Sequence, residues 1–335
     1  MNVLGKIKFL VMGIVLLLIL AACSGQESSS STTEESSTEE QKEVKLVLNW
    51  FAKAQHGGVY AAKENGLFEE NGLNVTIEPG GPQVSSINMV ASGNADFGLA
   101  HADQIVMARN EGIELIAVAT AMQGSPQAFM FHKGKGIKDF DELNGRKVYI
   151  QPGIVYWEYL KTQYDLSRVE ELAYSGQHVN FIDDEDSVSQ AFVTSEPYFM
   201  KLENIEVETK LISDAGYDPY NVVLYVTKDY LEENKETVEA FTAAFVEGWN
   251  LYKDSYEEIN KIIQQDNPDI ELESLTFEAE SQEDFVYGMD AAENGVGYMT
   301  EERWSKLIKQ LYDLGLVKEK FDAKEIFTTE FLPSK

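Results

Sequence analysis

At 335 residues, with 44% hydrophobic and 11% aromatic content, the chain can bury one large core or two medium ones. Its formal net charge of −30, from 57 acidic against 27 basic residues, argues against nucleic acid and against a polybasic membrane patch, because both need clustered Lys and Arg. The only cysteine is Cys23, so internal disulfides and thiolate zinc sites are excluded.

Lys6 and Lys8 precede an apolar run from Phe9 to Leu20, followed by Leu20-Ala21-Ala22-Cys23. That order over residues 1–22 is expected of a secretory signal, too short to span a bilayer comfortably. The small pair before the cysteine resembles a bacterial lipobox, in which the Cys23 thiol is lipidated and becomes the mature N-terminus. An extracytoplasmic, membrane-anchored chain is the expectation. Residues 23–43, rich in Ser, Thr, Glu and Gln, have too little apolar area to offset ordering entropy and are expected to form a disordered tether.

The folded body is expected from Val44. Val44–Leu48 reads as a strand, Gly57–Asn65 as a helix ended by Gly66, Leu73–Ile77 as a strand and Val84–Ala91 as a helix. Ala95–Ala100 is a short buried strand, His101–Asn110 a helix and Ile113–Ala121 an apolar strand. This alternation predicts a mostly parallel sheet with helices on its faces. The pattern restarts with strand Gln127–His132, a short helix Asp139–Leu143, strand Lys147–Ile150 and helix Trp157–Tyr164. Val188–Phe192 reads as helical, Phe192–Thr194 as strand-like, Val207–Ile212 as a strand and Asn221–Thr227 as a β run that carries the chain back. Beyond Asp229 the pattern is helical: Val238, Phe241, Phe245, Trp249 and Tyr252 form one apolar face over Thr237–Tyr252. Tyr256–Gln265 and Glu301–Leu314 repeat it. The acidic run Asp183–Asp186 lacks the alternating oxygen ligands of a calcium loop and reads as a solvated helix start. The four histidines show no paired metal spacing.

Several motifs carry a resemblance. They are Leu48-Asn49-Trp50-Phe51, Gly58–Phe68 (GVYAAKENGLF), Gly72–Val75, Ala91–Gly98 (ASGNADFG) and Gly136–Val148. In this order they resemble the substrate-binding proteins of the NMT1/THI5 and SsuA-like family, which serve ABC importers. The resemblance implies an α/β, type II periplasmic-binding-protein fold with two lobes joined by a two-crossing hinge. Residues 44–131 and 221–335 would form one lobe and 132–220 the other. It also implies a small-molecule ligand, an ABC permease with its ATPase as partner, and no cofactor; the chain is expected to be monomeric.

In open sheets of this kind, ligands bind outside the carboxyl ends of the strands. Four segments meet that description: Asn49–Gly58, Ala100–Gln104, Gln151–Trp157 and Ser195–Tyr198. They supply Asn49, Trp50, His56, His101, Asp103, Gln151, Tyr156, Trp157, Glu158, Glu196 and Tyr198 as candidate ligand-binding residues. Tyr60, Tyr217 and Asn221 complete the set, the last two at the second crossing. Trp50 is open between ring-stacking and hinge packing, and Tyr217 and Tyr220 between closing over a ligand and hinge packing. Arg is missing near these segments. That favours a planar heterocycle, such as a thiamine pyrimidine precursor or riboflavin, over a sulfonate, taurine or nitrate. Eukaryotic members of the family make the thiamine pyrimidine from an active-site His and pyridoxal phosphate with iron, and they carry a cysteine cluster. His56 falls near that His, but the cysteines are lacking, so an enzyme is the minor alternative.

Overall fold

The computed structural model describes residues 41–333. The signal at 1–22, Cys23 and most of the expected tether lie outside the described residues. Ten strands form two five-stranded sheets: β1 (Lys42–Val47), β2 (Leu73–Glu78), β3 (Phe97–Ala100), β4 (Leu115–Met122) and β10 (Asn221–Thr227) in the first, and β5 (Gln127–His132), β6 (Lys147–Ile150), β7 (Glu170–Ala173), β8 (Val188–Phe192) and β9 (Val207–Leu211) in the second.

The first sheet has the order β2-β1-β3-β10-β4 and the second β7-β6-β8-β5-β9. Each is parallel except for one inserted strand. β10 runs antiparallel to β3 and β4, and β5 antiparallel to β8 and β9. In both cases the antiparallel member is the strand that enters directly after the chain has crossed from the other sheet. The crossings are therefore Gln123–Pro126 and residues 212–220.

Both faces of the first sheet are covered, which is why its strands read as continuous apolar runs. Along β10, Val222, Leu224 and Val226 join one core with Val59, Phe241 and Trp249, while Val223 and Tyr225 join another with Trp304 and Leu307. The second core continues into the other sheet through Phe129, Val148 and Trp157. The apolar face expected over Thr237–Tyr252 is buried, within a single helix Lys235–Asp266. That helix takes in the separate segment expected at Tyr256–Gln265. The gap in the pattern marks a kink at Ser255, whose hydroxyl donates to the Leu251 carbonyl at 2.7 Å.

Several expectations are corrected. β5 lies wholly in the second sheet, so a lobe boundary at 131/132 falls too late; the chain leaves the first sheet at Gly124-Ser125-Pro126, where Pro offers no N–H to a ladder. The fold begins before Val44: Lys42 and Glu43 pair with Leu73 and Asn74, so a tether through residue 43 is too long. Val188–Phe192 is a strand, not a helix; it is buried between β5 and β6 and has no amphipathic period to read. Residues 193–195 then form a turn. β7, an exposed edge strand, and helix Val179–Asp183 were not anticipated. Asp183 ends that helix rather than starting one, and Asp184 and Asp186 pair with Lys147 (2.9 Å) and Lys135 (2.7 Å).

The loop that follows β1 is held by packing of helix Gly57–Glu64 on helix Lys235–Asp266. The two backbones approach so closely at Gly248 that a Cβ there would lie 2.1 Å from the Gly58 carbonyl oxygen and 2.9 Å from the Ala62 nitrogen. Gly248→Ala is expected to lower unfolding stability by about 2–3 kcal/mol, read by urea denaturation. A change below about 0.5 kcal/mol would mean that the helices separate freely.

Candidate functional site

The carboxyl ends of β1, β2 and β3 face those of β6, β7 and β8 across a cleft. From the first sheet, Asn49, Trp50, Lys53 and Gln55 reach it after β1, Gly81 and Val84–Ile87 after β2, and His101 and Gln104 after β3. From the second come Gln127, Gln151, Ile154, Tyr174, Gln190, Phe192, Ser195 and Glu196. A further cavity adjoins it on the hinge side, lined by Asp103, Ser125, Tyr156, Tyr217 and Pro219 together with His101, Gln104, Gln127, Gln151 and Ile154.

One cluster of charges joins the two halves. Lys53 Nζ donates to Ser195 Oγ at 2.6 Å and lies 3.4 Å from Glu196 Oε1 and 3.3 Å from Glu278 Oε1. Ser195 Oγ also donates to Glu278. The side chains of Lys53, Glu196 and Glu278 are 17%, 12% and 6% exposed, so this is an interior bridge rather than a surface pair. Burial opposes the Lys53 charge, but Glu278 and Glu196 outweigh it and hold the ammonium above its ordinary pKa. Burial likewise opposes the Glu196 charge, and Lys53, His178 and the Phe192 backbone N–H outweigh it, keeping the carboxyl below its usual range.

His56 lies behind the cleft wall. Its Nδ1 accepts from the Lys53 backbone N–H at 3.4 Å, leaving the proton on Nε2 to be donated to Asn49 Oδ1 at 2.9 Å. Full burial, assisted by the Lys53 charge, pushes the imidazole down to about 3. The ring thus sets the orientation of the Asn49 amide. In the hinge-side cavity, burial pushes the Asp103 carboxyl up, opposed by His101 and by the Tyr217 hydroxyl that donates to it at 2.7 Å. Burial also lowers His101, against the pull of Asp103.

Of the candidates read from the sequence, Asn49, Trp50, His101, Gln151 and Glu196 line the main cleft, and Asp103, Tyr156 and Tyr217 the adjoining cavity. Six do not line either. His56 is the buried support just described. Tyr60 is buried and donates to Asp266 at 2.8 Å. Trp157 turns into the core edge-on against Phe129. Glu158 pairs with Lys161 at 2.7 Å on the surface. Tyr198 stacks on Phe277, 4.8 Å between centroids. Asn221 is buried at the start of β10, donating to Ser125 Oγ at 3.3 Å.

Sequence reasoning missed Lys53, Gln104, Gln127, Tyr174, Gln190, Phe192 and Glu278. Gln190 did leave a signal, since it interrupts a buried strand with an amide, as did Gln127, which opens one; a buried polar residue needs a partner or a ligand. Glu278 left none, because it lies on a distant helix, Leu272–Ser281.

Two mixed sheets with a cleft at their facing strand ends define a two-lobed α/β binding-protein architecture, the type II periplasmic-binding-protein fold. Residues 53–259 match the family described as NMT1/THI5 like, and the chain belongs to that family. It is similar to the formylaminopyrimidine-binding protein of Halalkalibacterium halodurans, 24% identical over 282 residues that cover 80% of this chain and 84% of that protein. It is also similar to the riboflavin-binding protein RibY of Chloroflexus aurantiacus, 22% identical over 307 residues, covering 87% and 86%. A synthase of 4-amino-5-hydroxymethyl-2-methylpyrimidine phosphate from Legionella pneumophila is 20% identical over 305 residues, covering 88% and 93%. Among solved structures, the periplasmic aliphatic sulphonate binding protein SsuA of Escherichia coli shares the fold, with a TM-score of 0.65 at 16% identity over 88% of this chain and 94% of that one.

Because the unfolded chain protonates a histidine near pH 6.5 and the folded chain holds His56 neutral down to about 3, the unfolded state binds the extra proton between those values. This contribution to stability is present above pH 6.5 and is lost as pH falls, by about 1.4 kcal/mol per pH unit. Denaturation measured between pH 6.5 and 4.5 is expected to show that slope reduced by about this amount in His56→Gln; an unchanged slope would mean that His56 is protonated in the fold.

Proposed function

We propose that this chain is the extracytoplasmic solute-binding receptor of an ABC importer and that it captures a small planar heterocycle between its lobes. The observation that carries the reading is the chemistry of the cleft. Trp50, Tyr174 and Phe192 offer flat faces; Asn49, Gln55, Gln104, Gln127, Gln151 and Gln190 offer amides that both donate and accept. Lys53 is the sole Lys or Arg among the lining residues, and two carboxylates already neutralise it. A sulfonate or nitrate would therefore meet no free cation, whereas a neutral ring with edge nitrogens and carbonyls meets partners on both sides. The names of the pyrimidine- and riboflavin-binding relatives support the same ligand class.

Binding rather than catalysis is the role we assign. The imidazole of His56 is engaged on both nitrogens and shielded by the loop that carries Asn49 and Lys53, so it is placed to hold the wall of the cleft rather than to react. Bridging by ligand would favour the closed arrangement through contacts made only there, and the closed form would dock on a permease driven by its ATPase. We assign Cys23 to lipid attachment, with residues 1–22 as the export signal. Among the described residues no helix is long and apolar enough to cross a membrane.

Thermal unfolding of the full chain should rise by at least about 3 °C with a flavin or a thiamine-type pyrimidine at about a hundred times its Kd. Taurine, alkanesulfonates and nitrate should leave the midpoint in place. A rise with a sulfonate alone would overturn the ligand class, and no rise with any of them would overturn the receptor reading.

A further inference from the structure

An amide side chain can donate and accept, but what it shows a solute depends on which of its ends the protein has already taken. At the start of the helix after β3, Gln104 Oε1 accepts the His101 backbone N–H at 3.0 Å. On the second sheet, Gln190 Oε1 accepts the Gln151 backbone N–H at 2.6 Å and lies 3.5 Å from the Tyr156 hydroxyl. Asn49 Oδ1 accepts from His56 Nε2 at 2.9 Å. In all three the oxygen is used and the NH2 group has no protein partner among the described residues, so the end left for a solute donates. Gln127 is held the other way, its Nε2 donating to the Ala191 carbonyl at 3.4 Å. The Gln55 amide is engaged with the His56 ring at 3.2 Å.

The orientations of Gln104 and Gln190 are fixed by main chain. A backbone N–H can only donate, so turning either amide over would set its NH2 group against another donor, and Gln190, 6% exposed, has no water to relieve the conflict. The cleft therefore presents fixed donors from both of its walls, Asn49 and Gln104 from the first sheet and Gln190 from the second, against one fixed amide acceptor, Gln127, held at longer distance.

We propose that Gln104 and Gln190, backed by Asn49, are the specificity-determining residues of the cleft: fixed donors that select a ring with carbonyl or ring-nitrogen acceptors on opposite edges and reject one with exocyclic amino groups there. This rests on the reading of the cleft as a receptor site for a planar heterocycle, and it narrows that class by the polarity of the ring's edge. An amino group in place of a carbonyl would meet NH2 groups that cannot turn away, leaving donors of ligand and protein unpaired together.

Titration calorimetry on the full chain tests this with a matched pair, pteridine-2,4-dione and 2,4-diaminopteridine, which share one flat skeleton and carry carbonyls or amino groups at the same two positions. The dione is expected to bind about tenfold or more tightly. Gln190→Glu and, separately, Gln104→Glu keep an oxygen for the backbone N–H and replace the free NH2 group by a second oxygen. Each is expected to weaken the dione about tenfold and to bring the two compounds within about threefold of each other. Gln104→Met, which removes the donor without adding a charge, is expected to weaken the dione about fivefold more than the diamine. If the diamine binds as tightly as the dione, or the three variants leave the preference as it was, the assignment of specificity is overturned while the receptor reading stands. If neither pteridine binds, the assignment is overturned as well; the receptor reading fails only if flavins and thiamine-type pyrimidines also leave the unfolding midpoint in place.

Discussion

The Lys53 bridge is the constraint on which the cleft depends. Lys53 extends from the loop after β1, Ser195 from the turn after β8, Glu196 from the first position of the helix that follows, and Glu278 from helix Leu272–Ser281, which packs on helix Lys235–Asp266. Glu278 is itself fixed, because its Oε2 accepts the Ala54 N–H at 3.2 Å while Gln282 donates to the Ala54 carbonyl at 2.8 Å. The loop bearing Asn49, Trp50 and Lys53 is therefore anchored at its far end before it reaches the opposite half. Interior ion pairs of this kind gain little net stability over apolar contacts, but removing one partner strands the other charge, at a cost of about 3–5 kcal/mol. Here the pairing also has a chemical consequence: it uses up the cation of the cleft and leaves amides and aromatic rings to meet a solute.

The hinge is built with the same economy. Asp218 on the second crossing accepts the Ser125 N–H of the first at 2.8 Å, and Asn221 donates to the Ser125 hydroxyl. Directly beyond, Val222 adopts a φ of 51°, a left-handed conformation that a β-branched residue rarely takes, with its N–H held by the Asn221 side-chain oxygen at 2.9 Å. Tyr217 reaches from this crossing to Asp103 at the start of the helix after β3. The hinge-side cavity is thus lined by residues of both crossings, Ser125 from the first and Tyr217 and Pro219 from the second.

Much of this was legible in the sequence, and the parts that were not share a cause. The stripe from Val238 to Tyr252 announced itself because burial on one face imposes a period, and β10 because its unbroken run is rich in β-branched and aromatic residues. Asn49, Trp50, Gln151 and Glu196 were reachable from the rule that ligands meet strand ends. Trp157 and Tyr198 were not, since their segments sit at the cleft but their rings turn to Phe129 and Phe277, and sequence gives a residue's place along a helix without the helix's rotation against its neighbours. Lys53 was hidden for a different reason: its partner Glu278 stands more than two hundred residues away, and nothing local distinguishes an interior lysine from a surface one. β8 was misread because full burial erases the alternation that marks a strand.

A crystal structure of the chain grown with the compound that most raises its melting temperature would test the central claim most directly. The account requires the planar ring to lie among Trp50, Tyr174 and Phe192 with Lys53 still bridging Glu196 and Glu278. A ring bound outside this cleft, or Lys53 swung away from both carboxylates to pair with the ligand, would contradict it.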